Sequence, residues 1–529
     1  MCSTRKGIRV TKYLLAGVTM FCVSWIACVN EWHTRSRWNP PQRRFSTMKT
    51  IVAYSEGKQA EMDKPSPVTC NRIPEYPVIP EINRTWSPHA GEALWQQVKG
   101  TRVSLYAAYY DERAPQHFVR ILAIFHGRNF TSLEDLYCQT RLKDAQDSVE
   151  VVAAKLLEIW WQDWDKSTND VDTPFLLSCP LTEPLRHTAA VSIVTQPCNN
   201  PTNGFHISPK KVHNYQRSFT ICVKDMNFKD DLSASLIEWI EINRLLGAEI
   251  IDIYVDSVSK NTEATLLLYQ SQGLVRLFQV PIKNTVHRSL WQRRRDHLVS
   301  YNDCLYRNIL ETEFIVPLDV DEVVVPKVAY NWHALLKRLP RQGWDPHHHS
   351  AILVRNVFFF DFMQNLYKFN NNIRNKTKLY MKRDAVRIHD LAFNEIYDTF
   401  SVSKEISSKV NQNDCIQNLT VPKLVRNVVS SATVSPVGYY SKSFMLTKKV
   451  LTAFNHYPLS SIGATGFTGW AAPHKEVQLN HYKETCNITM VPECAQYIRR
   501  SSVDRSALHL ARKLTRAIAD IMCSQINTR

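Results

Sequence analysis

The sequence predicts an α/β fold, a largely parallel sheet with crossover helices. A smaller β-rich domain and an apolar N-terminal segment precede it. Three observations predict this. From about 216 onward, apolar runs of strand length alternate with stretches of helical spacing. That alternation calls for crossover connections and a parallel sheet. Between about 101 and 198 the pattern is mostly strand-like, with mixed signals in VEVVAAKLL. Ahead of both, Tyr13–Val29 (YLLAGVTMFCVSWIACV) carries no charge.

The chain has 529 residues, enough for two domains and extensions. A hydrophobic content of 44% supplies a large core, and a charged fraction of 22% excludes wholesale disorder. The net charge is +16, with Arg5, Lys6, Arg9 and Lys12 in the first twelve residues. Most other Lys and Arg are scattered and no nucleic-acid module is recognisable, so a nucleic-acid partner is not expected.

In order along the chain, residues 1–12 read as a cytosolic tail and 13–29 as a transmembrane signal-anchor. At about 1.5 Å per residue that segment is near the short end of a spanning helix. A cleaved signal peptide wants small residues before the cut, and WIACVN fits poorly. A buried core helix is the other alternative. Arg35, Arg37, Arg43, Arg44 and Lys49 make the far flank basic too, so charge does not orient the anchor. Residues 30–95 read as a stem, because Pro40, Pro41, Pro65, Pro67, Pro74, Pro77, Pro80 and Pro88 disfavour helix and central strand. Residues 96–200 form the expected β-rich accessory domain (RVSLYAAYY, HFVRILAIFHG, AAVSIVTQP), ending at the break PCNNPTNG, Pro197–Gly204.

The expected catalytic α/β domain spans 215–500. SFTICVKD is its first strand. Leu232, Leu236, Trp239, Ile240 and Leu245 then mark a helix that stops at Gly247. EIIDIYVDS, LVRLFQVP and FIVPLDVDE are further strands, with helices over NTEATLLLYQSQ and Trp291–Leu310 between them. After Pro326 the pattern is mixed. Residues 501–529 hold an amphipathic helix (Ala507, Leu510, Leu514, Ile518, Ile521) expected to dock on the domain.

Asn83, Asn129, Asn375, Asn418 and Asn487 begin N-x-[ST] sequons, candidate glycosylation sites. Ten of the thirteen cysteines also lie beyond the anchor. An even number suits pairing in an oxidising lumen, and no CxxC pair points to a zinc ribbon. Cys486 and Cys494 are near enough in sequence to close a short loop.

The chemistry concentrates in FIVPLDVDEVVVP, Phe314–Pro326. An apolar strand ends in Asp319, Asp321 and Glu322. In open α/β sheets ligands bind at the carboxyl edge. Hard carboxylate oxygens there suit Mg2+ or Mn2+, and such a cation binds a diphosphate. An EF-hand is excluded, because its sixth loop position falls on Val324 where glycine is needed. A solvated acidic turn is the alternative, and the apolar strand leading into the pair weakens it.

SFTICVKD, EWIEINRLLGAEIIDIYVDS, LLLYQSQGLV, YNDCLYR and FIVPLDVDEVVVP, followed by KSFMLTKKVLTAFNH and LNHYK, together resemble glycosyltransferase family 92 over about Ser218–Lys483. YYDERAPQHFVRILAI is similar to the segment that precedes the catalytic domain in animal members. The resemblance implies a GT-A (Rossmann-like) catalytic domain. It implies an inverting transfer of galactose from UDP-galactose, in β1,4 linkage, to galactose or core fucose on glycoprotein glycans. It also implies a single-pass type II protein of the Golgi membrane with a lumenal catalytic domain; a homo-oligomer is compatible with such a chain. Asp319, Asp321 and His481 would hold Mn2+ (or Mg2+). Val223, Asp256, Gln292, Asn302, Asp303 and Asp319 would contact the donor, with helix surface or capping an equal alternative for Gln292, Asn302 and Asp303. An inverting transfer needs a general base, for which Glu476 is named ahead of Glu395 or Asp398. Ala464–Trp470 (ATGFTGW) reads as a Gly-rich loop, its aromatics either facing a sugar or simply at the surface. His347, His348 and His349 read as a solvated turn rather than a metal cluster. Two other classes compete: a non-catalytic lectin-like or scaffold membrane protein on the same fold, and a membrane-tethered partner for anionic polymers.

Overall fold

The computed structural model describes residues 66–89, 94–128, 135–142, 148–160, 170–209, 214–283, 288–364, 421–486 and 494–527. Segment 13–29, the sequons at Asn129, Asn375, Asn418 and Asn487, and Glu395 and Asp398 lie outside them. Among the described residues no helix is long and apolar enough to cross a membrane.

The N-terminal layer is a sandwich of two antiparallel sheets. One runs β1 (Gln96–Gln97), β2 (Val103–Asp111), β3 (Phe118–His126), β7 (Asp172–Pro180), β6 (Lys155–Glu158). The other runs β5 (Glu150–Ala153), β4 (Tyr137–Leu142), β8 (Ala189–Val194), β9 (Phe205–Ile207). Strand β3 shows why both faces are apolar. Ile121, Ala123 and Phe125 point into the sandwich, whereas Leu122 and Ile124 join the core beneath the following domain. Side chains alternate along a strand, so a sheet covered on both sides reads as an unbroken apolar run.

Two sequence boundaries shift. The break Pro197–Gly204 does not end the layer, because β9 follows it. Asn203 turns the chain there, its amide bonding both the N–H and the carbonyl of Ile193 at 2.8 Å. The expected stem is not a free spacer over 66–89. Cys70 is bridged to Cys198, and Trp86 donates its N–H to Leu277 at 3.0 Å. An edge strand offers unpaired backbone groups, and this extended segment takes them up.

The second half is built on a seven-stranded sheet. Its order is β12 (Val275–Gln279), β11 (Ile250–Val258), β10 (Arg217–Phe228), β13 (Thr312–Pro317), β18 (Lys442–Leu446), β15 (Ala351–Val354), β21 (Gly469–Ala471). Strands β10 to β13 are mutually parallel, and β18 runs against β13. Helices α1 (Ser233–Leu246) and α2 (Lys260–Ser271) cover one face, packing on Phe219, Ile221, Ile251, Ile253 and Val316. Helix α3 (Leu290–Asn308) covers the other, with Cys304 bridged to Cys222 of β10. Helix α1 stops at Gly247, whose φ of 122° leaves no comfortable place for a side chain. The C-terminal helix α4 (Ala511–Asn527) packs on this core through Ala511, Leu514 and Ile518.

Phe314–Glu322 is not one strand. Strand β13 ends at Pro317, and β14 (Glu322–Pro326) leaves for a separate sheet of order β14, β22 (Val477–Lys483), β16 (Asn356–Phe360). Between them Leu318–Asp321 form a turn closed by Glu322 N–H to Asp319 O, 3.0 Å. The Gly-rich segment ATGFTGW is likewise corrected in part: Gly469–Ala471 pair with Ala351–Leu353. A Cβ on Gly469 would meet Leu353 Cδ1 at 2.5 Å, so any larger residue there would have to displace the Leu353 and Phe467 side chains. Trp470 and Phe467 are packed against the core rather than held out in a loop. The remaining strands are β17 (Val429–Ser431), the hairpin β19 (Val450–Ala453) and β20 (Pro458–Ser461), and β23 (Ser501–Val503).

Candidate functional site

Strand order 12-11-10-13 places the last-formed parallel strand beside the first, so the sheet reverses direction of growth between β10 and β13. In open α/β sheets the ligand crevice lies at the carboxyl edge beside such a point. Two segments meet there. From β13 comes the turn carrying Asp319 and Asp321. From β10 come Lys224 and Asp225, pushed out of the ladder by a register shift between Val223 and Met226. Asp225 has a φ of 26°, a conformation that costs a non-glycine residue ~1–3 kcal/mol. Its carboxylate offsets this by gathering His297 Nε2 at 3.1 Å, Arg293 at 3.3 Å and Arg288 at 3.4 Å.

The two aspartates have different neighbours. Lys224 Nζ lies 2.8 Å from Asp319 Oδ1 and 3.1 Å from Oδ2. Lys442 Nζ lies 3.3 Å from Asp319 Oδ2 and 3.2 Å from Glu322 Oε2. Burial alone pushes the Asp319 carboxyl up, but the Lys224 and Lys442 ammonium groups outweigh it and hold it well below the usual carboxylate range. Asp321 faces Lys483 Nζ at 2.6 Å and His481 Nε2 at 3.5 Å. Burial again opposes ionisation, and His481 and Lys483 reverse it. Glu322 sits behind them, accepting the Asp319 N–H at 3.0 Å. Burial pushes its carboxyl up against the pull of Lys442.

His481 is brought to Asp321 by the pairing of β14 with β22, in which Glu322 lies opposite His481. The adjacent Tyr482 N–H donates to Asp321 O at 2.8 Å. The ring is buried, stacked on Phe358 with centroids 5.1 Å apart, and neither ring nitrogen has a hydrogen-bond partner. A buried imidazole whose nitrogens face Asp321 at 3.5 Å and Glu322 at 3.6 Å, with no hydrogen bond closed, is donor chemistry Mn2+ accepts. Asp321 and His481 therefore fit a divalent cation. Asp319 fits less well, since ammonium groups hold both of its oxygens. Among the described residues, no group of three or more His, Cys, Asp or Glu converges as a cation shell.

The other expected residues separate. Asp256, at the end of β11, remains at the same edge, bonded to Asn227 at 2.7 Å and Arg288 at 3.1 Å. Val223 is buried under the α1–α2 face, so its side chain is core. Gln292 bonds the N–H and carbonyl of Asp172 at 2.8 and 3.2 Å, which makes it a clip between α3 and β7. Asn302 is fully buried and brackets Ala453, bonding its N–H at 2.8 Å and its carbonyl at 2.9 Å. Asp303 is fully buried among Tyr109, Tyr254 and Arg307. The expected donor contacts of Gln292, Asn302 and Asp303 compete with these partners, which hold their polar groups inside the fold. Glu476, the expected base, is engaged elsewhere as well. It sits five residues before His481, about 16 Å away along an extended strand, and pairs with Arg338 at 3.2 Å. His347, His348 and His349 form a turn around Asp345.

Sequence reasoning passed over Lys224, Lys442 and Lys483. Lys224 and Asp225 close the first predicted strand, and a Lys-Asp pair at that carboxyl edge is a usable signal. Lys483 stands two residues after His481. Lys442, its side chain only 1% exposed, carries no signal, because a lysine opening a strand ordinarily reads as surface.

The model for Glycosyltransferase family 92 matches residues 217–515, a span that takes in every residue of this crevice. No curated protein sequence matches the chain. Among solved structures, a β-glucuronidase from Ruminococcus gnavus in complex with C6-substituted uronic isofagomine is similar at 9% identity and a TM-score of 0.13. The overlap is 40% of this chain and 36% of that one, so the chain spans about a third of that enzyme. A ferredoxin-NADP+ reductase from Plasmodium falciparum is similar at 12% identity and a TM-score of 0.10, over 43% of this chain and 89% of that one. Neither likeness carries an argument.

Proposed function

The chain belongs to glycosyltransferase family 92, and from that premise we propose an inverting, metal-dependent hexosyltransferase. It moves galactose from UDP-galactose in β1,4 linkage onto a galactose or core fucose of glycoprotein glycans. The N-terminal segment 13–29 anchors it as a type II protein of the Golgi membrane, catalytic half in the lumen. Disulfides Cys70–Cys198, Cys138–Cys179, Cys222–Cys304 and Cys486–Cys494 support an oxidising compartment.

The observation that carries the catalytic reading is the Asp321–His481 pair at the edge where the sheet changes direction. Asp321 and His481, with Asp319 alongside, would hold Mn2+, and a cation there would supply positive charge for a leaving diphosphate. The chain's own residues do the rest. Asp319 fixes the turn through its carbonyl and N–H. Asp225 gathers Arg288, Arg293 and His297, and Asp256 is joined to the same Arg288.

The test offers the purified chain from residue 59 onward a panel of UDP-sugars, Mn2+ and arrayed glycans, and identifies the product linkage. Turnover of UDP-galactose that stops in EDTA is the expected result. Asp321→Asn and His481→Gln should each lower kcat/KM at least about a hundredfold, the scale of losing a charge-stabilising contact. Turnover unaffected by EDTA and by both substitutions removes the metal reading. The lysine-held Asp319 favours a second reading, a lectin-like protein without catalysis. Glycan binding with no UDP release from any donor would establish that one instead.

A further inference from the structure

Three carboxylates and three ammonium groups meet at the crevice: Asp319, Asp321 and Glu322 with Lys224, Lys442 and Lys483. The described cluster therefore balances its own charge before any ligand arrives. A nucleoside diphosphate brings further negative charge, more than one divalent cation at Asp321 and His481 would offset, so a side-chain cation has a reason to turn toward it. The three lysines differ in their freedom to do so. Lys442 is 1% exposed and ties Asp319 to Glu322, so it positions those carboxylates. Lys483 keeps 37% of its side chain exposed but is engaged at 2.6 Å by Asp321, the carboxylate that also faces His481. Lys224 stands on the bulge of β10, at the mouth where the sheet reverses, and keeps 16% of its side chain exposed.

Its surroundings form a cradle rather than a lock. Asp319, itself 32% exposed, holds the ammonium at 2.8 Å. Asn455 Oδ1 accepts a second contact at 3.3 Å, and the Tyr301 ring lies 5.7 Å beneath. Exchanging one oxyanion for another across such a cradle requires only a small rotation of the lysine terminus. We propose that Lys224 is a ligand of the donor's diphosphate, held ready by Asp319 and handed to a phosphate oxygen when the nucleotide enters. The inference rests on the donor reading above and adds a residue to it. It also gives Asp319 a role besides metal binding: its carboxylate stores the ammonium in place. Charge-assisted contacts of this kind are among the stronger hydrogen bonds a site can offer.

The experiment measures binding rather than turnover. UDP and uridine are titrated calorimetrically into wild type, Lys224→Gln and Lys224→Arg, each with Mn2+ and with EDTA. Mn2+ alone is titrated by electron paramagnetic resonance. Lys224→Gln should weaken UDP by about tenfold or more in both conditions, leave uridine unchanged, and bind Mn2+ at least as well as wild type. Lys224→Arg should recover most of the UDP affinity. Unchanged UDP affinity in Lys224→Gln overturns this inference alone. An equal loss for UDP and uridine overturns it too, since that is the mark of a disturbed pocket. A wild-type chain that binds no nucleoside diphosphate overturns the donor reading together with it.

Discussion

Glu476 immediately precedes β22 and His481 lies near that strand's far end, so the two serve different places. Glu476 is nearly buried against a half-exposed Arg338, a pair that contributes no more than about 1 kcal/mol in such a setting. Glu476→Gln should therefore leave kcat/KM within about threefold of wild type and lower stability only slightly. A loss of several hundredfold at unchanged stability would restore it as the base. Asn302→Ala should behave in the opposite way to a donor ligand. It strands the buried N–H and carbonyl of Ala453, which costs about 2–3 kcal/mol, read by denaturant unfolding, while UDP affinity stays the same. These contrasts show which residues a sequence makes legible. Asp319 and Asp321 stand out because hard oxygens at a strand end have few uses. Asn302 and Asp303 lie on the right helix, but whether an amide faces a ligand or its own backbone depends on helix rotation and on the hairpin opposite. Lys224 and Lys442 could not be weighed at all without knowing which carboxylates they meet.

At the scale of elements, α1, α2 and α3 were legible from apolar spacing and their stops, because each packs one stripe on one sheet face. The parting of β13 from β14 was not. Leu318–Asp321 sit between two apolar runs that read as one, and only the pairing of Val323–Pro326 with β22 shows that they belong to different sheets. The hairpin β19–β20 adds a pH dependence. Its connecting His456 donates Nδ1–H to Ser441 O at 2.7 Å, and Nε2 accepts from Asn455 Nδ2 at 3.2 Å. Burial, then the nearby Lys442, pushes the imidazole down from 6.5 to about 3. The folded chain keeps this ring neutral where the unfolded chain protonates it. Its contribution to stability is thus complete above pH 6.5 and shrinks as pH falls toward 3. Melting temperatures across that window should decline on acidification, and His456→Gln should flatten the decline. An unchanged slope in that variant would assign the acid sensitivity elsewhere.

For the molecule as a whole, the β-rich layer and the α/β half share a core that neither owns. Tyr106, Leu122, Ile124 and Leu176 from the sandwich pack with Leu298, Val299 and Tyr301 of α3. Polar clips fasten the same face: Gln292 to Asp172, Arg295 to Thr173 at 2.6 Å, and Arg113 to the carbonyl of Val450 at 2.7 Å. The sequence showed two composition zones and so suggested two separable domains, yet the alternation within β3 already held the reason they are joined. Removing the layer would expose the outer face of α3, the helix bridged to β10 and lying directly behind the crevice. Each large apolar side chain returned to water costs about 1.5–3 kcal/mol. A domain's whole margin is only ~5–15 kcal/mol. A chain beginning at residue 214 should therefore lose the cooperative thermal transition shown by a chain beginning at residue 59, and bind UDP at least tenfold more weakly. Calorimetry and UDP titration on the two chains decide it. A sharp transition and full affinity in the shorter chain would make the sandwich a passenger, and the crevice would then owe its shape to the α/β half alone.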